Sequence, residues 1–169
     1  GNPANIAGLP EGRVELVVGD VCDEGLLDRL TAFYQTRGVG LLGMGQVFRA
    51  RRTGNGAELV PVEDRPPVRL ADLVGYRQQK DLLIRNTEAF LRGKGSNNVL
   101  LYGDAGTGKS STVKAIANEF AADGLRLVEV KKNQLYQIPD LMDKLAANPL
   151  KFILFIDDLS FTANDDNFA

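Results

Sequence analysis

With 169 residues and an apolar fraction of 44%, the chain can bury the core of one full domain, or of one small domain plus part of another. Its net charge of −2 gives no global basic field for nucleic acid, which leaves only a local basic patch open. The absence of histidine removes the common zinc sites and histidine-based triads, and the one cysteine, Cys22, cannot form an internal disulfide, which fits a reducing compartment such as the cytoplasm.

The opening Gly1-Asn2-Pro3-Ala4 reads as a cloning remnant or as the cut end of a longer chain. It is not followed by a signal-peptide core, and no apolar run reaches membrane-spanning length, so no membrane partner is expected. Residues 1–12 are rich in Gly, Pro and Asn and read as irregular; residues 13–18 form a candidate strand. Asp23 is placed to cap a helix running to about Thr36, because Leu26, Leu27, Leu30, Phe33 and Tyr34 make one apolar stripe. The glycine-rich stretch 38–45 comes after a helix instead of a strand, so it lacks the context of a dinucleotide fingerprint and reads as a flexible or tightly packed connection. Residues 46–51 and 57–62 are strand candidates, and Asn55-Gly56 is a type I′ turn pair that predicts a β-hairpin. Arg49, Arg51 and Arg52 cluster there, either as a solvated face or as a contact for nucleic acid or another partner. Asp64-Arg65-Pro66-Pro67 is stiff and extended, a natural boundary between a small α+β region, 1–67, and a second region, 68–169.

From Val68 helices and strands alternate, the sign of an α/β domain. A helix is expected from about Tyr76 to Leu91, ended by Gly93. Residues 99–102, Val-Leu-Leu-Tyr, read as a short buried parallel strand. Gly103-Asp104-Ala105-Gly106-Thr107-Gly108-Lys109-Ser110 then completes the phosphate-loop pattern G-x-x-x-x-G-K-[ST]. Val113, Ile116, Ala117 and Phe120 continue it as the apolar stripe of a helix. Glycines let backbone N–H groups close around phosphate oxygens, and a helix N-terminus adds partial positive charge. In such a loop Lys109 reaches the β- and γ-phosphates, and the Ser110 hydroxyl holds Mg²⁺.

A second strand is expected over 125–130, then a helix within 134–147 whose best part starts at Pro139 and which Asn148-Pro149 stops. A third strand, 152–156, is apolar throughout and is expected to be buried on both faces. It ends in Asp157-Asp158, roughly fifty residues after the phosphate loop, which is the form of a Walker B element. Asp157 then holds Mg²⁺ beside Ser110, and Asp158 orients or deprotonates the attacking water. The plainer reading of two aspartates after a strand is a cap or turn.

Leu73-Val74-Gly75-Tyr76, Asn97-Asn98 before the strand, the loop with Ser110-Ser111, and Asp157-Asp158 together resemble the start of an AAA+ ATPase module, over roughly residues 68–160. Asn86-Thr87-Glu88-Ala89-Phe90, 125–130 and Asp157-Asp158-Leu159-Ser160-Phe161 are similar, more closely, to a bacterial family of predicted AAA+ ATPases without a settled cellular role. The resemblance implies an α/β P-loop NTPase (ASCE/AAA+) fold, a three-layer sandwich with a mainly parallel sheet, truncated after the Walker B strand. It implies strand order 5-1-4-3-2, ATP and Mg²⁺ as cofactors, and ATP held by Gly103, Asp104, Ala105, Gly106, Thr107, Gly108, Lys109, Ser110 and Ser111, with Val74 and Gly75 near the adenine. It further implies a homo-oligomer when full length, and a protein or nucleic-acid partner that hydrolysis remodels. Lys109 and Asp158 are the expected catalytic residues.

Two departures stand out. The usual AAA+ Walker B ends Asp-Glu, whereas the second acid here is Asp158, one methylene shorter. The sequence also ends shortly after Walker B, so the sensor, arginine finger and helical lid that the resemblance implies are expected beyond Ala169, and this piece alone is expected to be inactive. A nucleotide-dependent switch or scaffold with little turnover, and a P-loop kinase acting on a small metabolite, are the alternatives. The strand order leaves a slot between residues 99–102 and 152–156 that is either supplied from outside this sequence or closed by direct pairing of the two.

Overall fold

The computed structural model describes residues 24–54, 56–62 and 67–159. The expected strand at 13–18, the cap Asp23, Cys22, most of the Pro-containing boundary and the residues after Leu159 lie outside them. The chain divides into two compact units, 1–32 and 33–169. Of the first, only the start of helix α1 (Glu24–Arg37) is described.

The second unit is built on a four-stranded sheet of order β2-β1-β3-β4. The strands are β1 (Val47–Thr53), β2 (Gly56–Pro61), β3 (Leu125–Val130) and β4 (Lys151–Ile156). β1 and β2 are antiparallel, while β3 runs parallel to both β1 and β4. β3 carries apolar residues on both faces, with Arg126 on one and Glu129 on the other; it lies between two strands and holds the deepest core: Leu125, Leu127 and Val128 are fully buried. Alternate side chains point to opposite faces. Val128 and Val130 join Phe48, Leu141 and Leu145 on the side covered by α5 (Ile138–Ala146). Leu127 joins Val47 and Ala117 on the side covered by α4 (Lys109–Glu119). Helix, sheet and helix thus form the layers of an α/β fold.

The hairpin β1–β2 forms, and its pairing runs further into the expected loop than residues 51 and 57: the last pair is Thr53 with Gly56. The hairpin is hydrogen-bonded into the same sheet as β3, so the Pro-containing segment does not separate two sheets. The glycine-rich connection packs tightly: a Cβ on Gly38 would lie 2.7 Å from Leu150 Cδ1, and Gly38 has φ +74°. Within it, residues Leu41–Met44 form the short helix α2.

The guanidinium of Arg126, 4% exposed, ties these parts together. It donates to the carbonyls of Arg37, Leu42, Ala121 and Leu125 at 2.8–2.9 Å. Burial, and after it the charge of Arg37, pushes Arg126 below the ordinary arginine range.

Helix α3 (Arg77–Leu91) matches its expected span, and Gly93, at φ +66°, lies just past its end. The expected helix after β3 is divided: Lys132–Gln137 is a 3₁₀ segment, and α5 comes next with Pro139 in its first turn. Two expectations fail. Residues 99–102 form no strand; Val99, Leu100 and Tyr102 are 51%, 75% and 89% exposed. A strand needs a paired neighbour, and no described strand pairs with this segment, so its backbone stays open to water. Direct pairing with β4 is therefore not formed, and the hairpin lies on the other side of β3 from β4. The second failure is β4, which is half-buried instead of buried on both faces. It is an edge strand of the described sheet, and its apolar side chains are covered from one flank only.

Candidate nucleotide site

The phosphate loop, 103–108, runs between the open segment 99–102 and α4. Gly103, Gly106 and Gly108 have φ of +136°, +79° and +83°, values that L side chains rarely adopt. Gly108 is the residue before α4, and its carbonyl accepts from both the N–H and the hydroxyl of Thr112 at 2.8 Å. Asp104, Ala105, Gly106 and Thr107 are exposed. The loop closes on itself through Thr107 Oγ1, which donates to Asp104 O at 2.9 Å. Lys109 opens α4, and its ammonium donates to the carbonyls of Gly103 at 2.9 Å and Asp104 at 2.6 Å. The cation is thereby held against the loop's own carbonyls, within the loop that carries the three positive-φ glycines. Ser110 and Ser111 continue the first turn of α4.

Asp157 leaves the C-terminal end of β4, the edge of a parallel sheet where ligands bind in open α/β folds. Ser110 Oγ donates to Asp157 Oδ1 at 2.9 Å. The same oxygen accepts from the N–H of Asp158 at 3.1 Å. Asp158 has φ +55° and is exposed. The separation of Ser110 Oγ and Asp157 Oδ1 fits Mg²⁺: octahedral Mg–O distances of about 2.0–2.1 Å put neighbouring ligand oxygens about 2.9 Å apart. Among the described residues no group of three or more Cys, Asp and Glu is placed to hold a metal. Mg²⁺ at a phosphate site needs none, since phosphates and waters complete its shell.

Val74 is 95% exposed, Gly75 has φ +84° with open space where a Cβ would be, and Tyr76 has φ +50°. Two positive φ values in a row, one on a bulky residue, mark a sharp bend in the chain. The segment is fixed at both ends: Asn118 of α4 donates to Val68 O at 3.0 Å, and Lys80 of α3 donates to Leu73 O at 2.6 Å. A cavity of about 360 Å³ opens beside it, lined by Leu70, Ala71, Arg77, Lys80, Asp81 and Ile84. The approach to the loop is held by Asn86 of α3, whose amide exchanges two 2.9 Å hydrogen bonds with the backbone of Asn97.

A family model described as "Protein of unknown function (DUF815)" matches residues 44–169. The chain belongs to the DUF815 family. The matched span takes in the hairpin as well as the phosphate loop and Asp157, so all four strands of the sheet described above are DUF815 sequence. This DUF815 chain is also similar to curated proteins. It is 40% identical over 76 residues to the replication factor C large subunit of Staphylothermus marinus, covering 44% of this chain and 17% of that protein. It is 30% identical over 169 residues to the ATP-dependent zinc metalloprotease FtsH of a Synechococcus species, covering 86% of this chain and 26% of that protein. The replication factor C large subunit of Thermofilum pendens is 39% identical over 72 residues, 41% of this chain and 17% of that protein. The chain therefore spans only a minor part of each of these relatives. No solved structure matches it. The likeness to these proteins supports an AAA+ superfamily relationship for this DUF815 chain.

The basic cluster is matched inside the chain. Arg49 pairs with Glu129 at 2.9 Å and Arg51 with Glu58 at 3.7 Å, while Arg52 lies 5.9 Å over the Tyr136 ring. Sequence reading missed Lys114, whose ammonium meets Glu129 Oε1 at 3.2 Å. The available signal was a single acid within the otherwise apolar run of β3, apart from Arg126.

Proposed function

We propose that this chain is the nucleotide-binding part of an AAA+ type ATPase that binds ATP–Mg²⁺ and hydrolyses it to remodel a macromolecular partner. The observation that carries the reading is the 2.9 Å contact between Ser110 of the phosphate loop and Asp157 at the end of β4. Bound Mg²⁺ would neutralise charge between the phosphates. Ser110 and Asp157 would hold it; the amides of 103–108 and Lys109 would cradle the phosphates. Asp158 would orient the attacking water, and Val74 and Gly75 would flank the base. Homo-oligomerisation of the full-length protein and a cytoplasmic location belong to the same proposal.

The second reading is an ATP-dependent switch with little turnover. It is favoured by the short, exposed Asp158, whose positive φ turns the chain just where a longer acid would reach for a water. Steady-state turnover of the full-length protein with ATP–Mg²⁺ separates the two. Turnover that Asp158→Asn abolishes supports hydrolysis; tight binding without turnover supports the switch.

A further inference from the structure

Lys114 lies four residues after Ser110, so the two share one face of α4 a turn apart. Ser110 reaches Asp157, beyond β4; Lys114 reaches Glu129, on the neighbouring strand β3; Ala117, one turn further, is buried against Leu127 and Val47. The inner face of α4 is therefore held at three levels, two of them polar. Glu129 is only 17% exposed and uses both oxygens. Oε1 takes Lys114 at 3.2 Å, while Oε2 takes Arg49 Nη2 at 2.9 Å and Nε at 3.3 Å. Arg49 stands directly opposite Glu129 in the β1–β3 register. A carboxylate gripped from the hairpin side has little freedom, and it offers Lys114 a fixed anchor.

We propose that Glu129 is a positioning residue for the Mg²⁺ site: through Lys114 it sets the rotation of α4 about its own axis, and so the aim of Ser110 at Asp157. Arg49 makes the hairpin part of that support. The phosphate loop's own hydrogen bonds, from Thr107 and Lys109, do not pass through Glu129. Loss of Glu129 therefore acts on metal-dependent binding and spares the loop's grip on phosphate. This inference rests on the ATP–Mg²⁺ reading above.

The test is ATP binding by calorimetry on the full natural protein, from excess EDTA to saturating Mg²⁺. Wild type, Lys109→Ala, Glu129→Gln, Lys114→Gln and Arg49→Gln are compared, each checked for folding by circular dichroism. For Glu129→Gln and Lys114→Gln we expect the Mg²⁺ concentration at half-maximal effect to rise about three- to tenfold, with affinity in EDTA within about twofold of wild type. Arg49→Gln shifts it less, because Lys114 keeps its partner. If Glu129→Gln does not fold, Lys114→Gln carries the test. An unchanged Mg²⁺ midpoint in these variants, or equal losses with and without Mg²⁺, overturns the inference. Wild type that ignores Mg²⁺, or a Lys109→Ala variant that binds like wild type, overturns the ATP–Mg²⁺ reading itself.

Discussion

Ser110 and Asp157 stand 47 positions apart in the chain, and the hydroxyl of one donates to the carboxylate of the other at 2.9 Å. Nothing local brings them together. α4 packs on β3, β4 pairs with β3 in parallel, and the C-terminal end of β4 then lies beside the first turn of α4. The contact is a product of the layer arrangement.

Lys109→Ala should weaken ATP–Mg²⁺ binding by about ten- to a hundredfold, the worth of a charge-assisted hydrogen bond to phosphate. The ammonium already sits between the Gly103 and Asp104 carbonyls, so its reach is set by the loop. Calorimetry with ATP–Mg²⁺ measures this directly, and equal affinity in wild type and variant would remove Lys109 from the site.

Asp157 and Asp158 should separate by role. Asp157→Asn is expected to impair Mg²⁺-dependent binding by roughly tenfold or more, since the oxygen that faces Ser110 loses its charge. Asp158→Asn is expected to leave binding within about twofold and to lower turnover. Side-by-side binding and turnover assays check both; unchanged turnover in Asp158→Asn would favour the switch.

Arg126→Met should cost about 3 kcal/mol of stability, because the carbonyls of Arg37, Leu42, Ala121 and Leu125 lose a shared donor in a buried place. Urea denaturation gives the value. A cost near zero would mean that water replaces the guanidinium.

Leu127→Ala and Leu100→Ala should differ sharply although both leucines lie in apolar runs. Leu127 is fully buried, so its truncation should cost about 2–5 kcal/mol. Leu100 is 75% exposed in this chain, so its truncation should stay within about 0.5 kcal/mol. Equal costs, measured by denaturant unfolding, would show that residues 99–102 are buried in solution.

Local chemistry decided much of this protein in advance. The positive φ of Gly106 and Gly108 and the helix that opens at Lys109 stand where the loop pattern puts them, although the strand expected before the loop does not form. The spans of α1, α3 and β3 were legible for a similar reason, since periodicity and breakers act within a few residues. Pairing was not legible in that way. An apolar run such as 99–102 becomes a strand only when a neighbour supplies its hydrogen bonds, and among the described strands none does. The placement of the hairpin beside β3, the exposed flank of β4 and the Arg49–Glu129–Lys114 bridge are likewise decisions of the tertiary structure. Each joins groups many residues apart, and sequence carries only the side chains, not the distance between them.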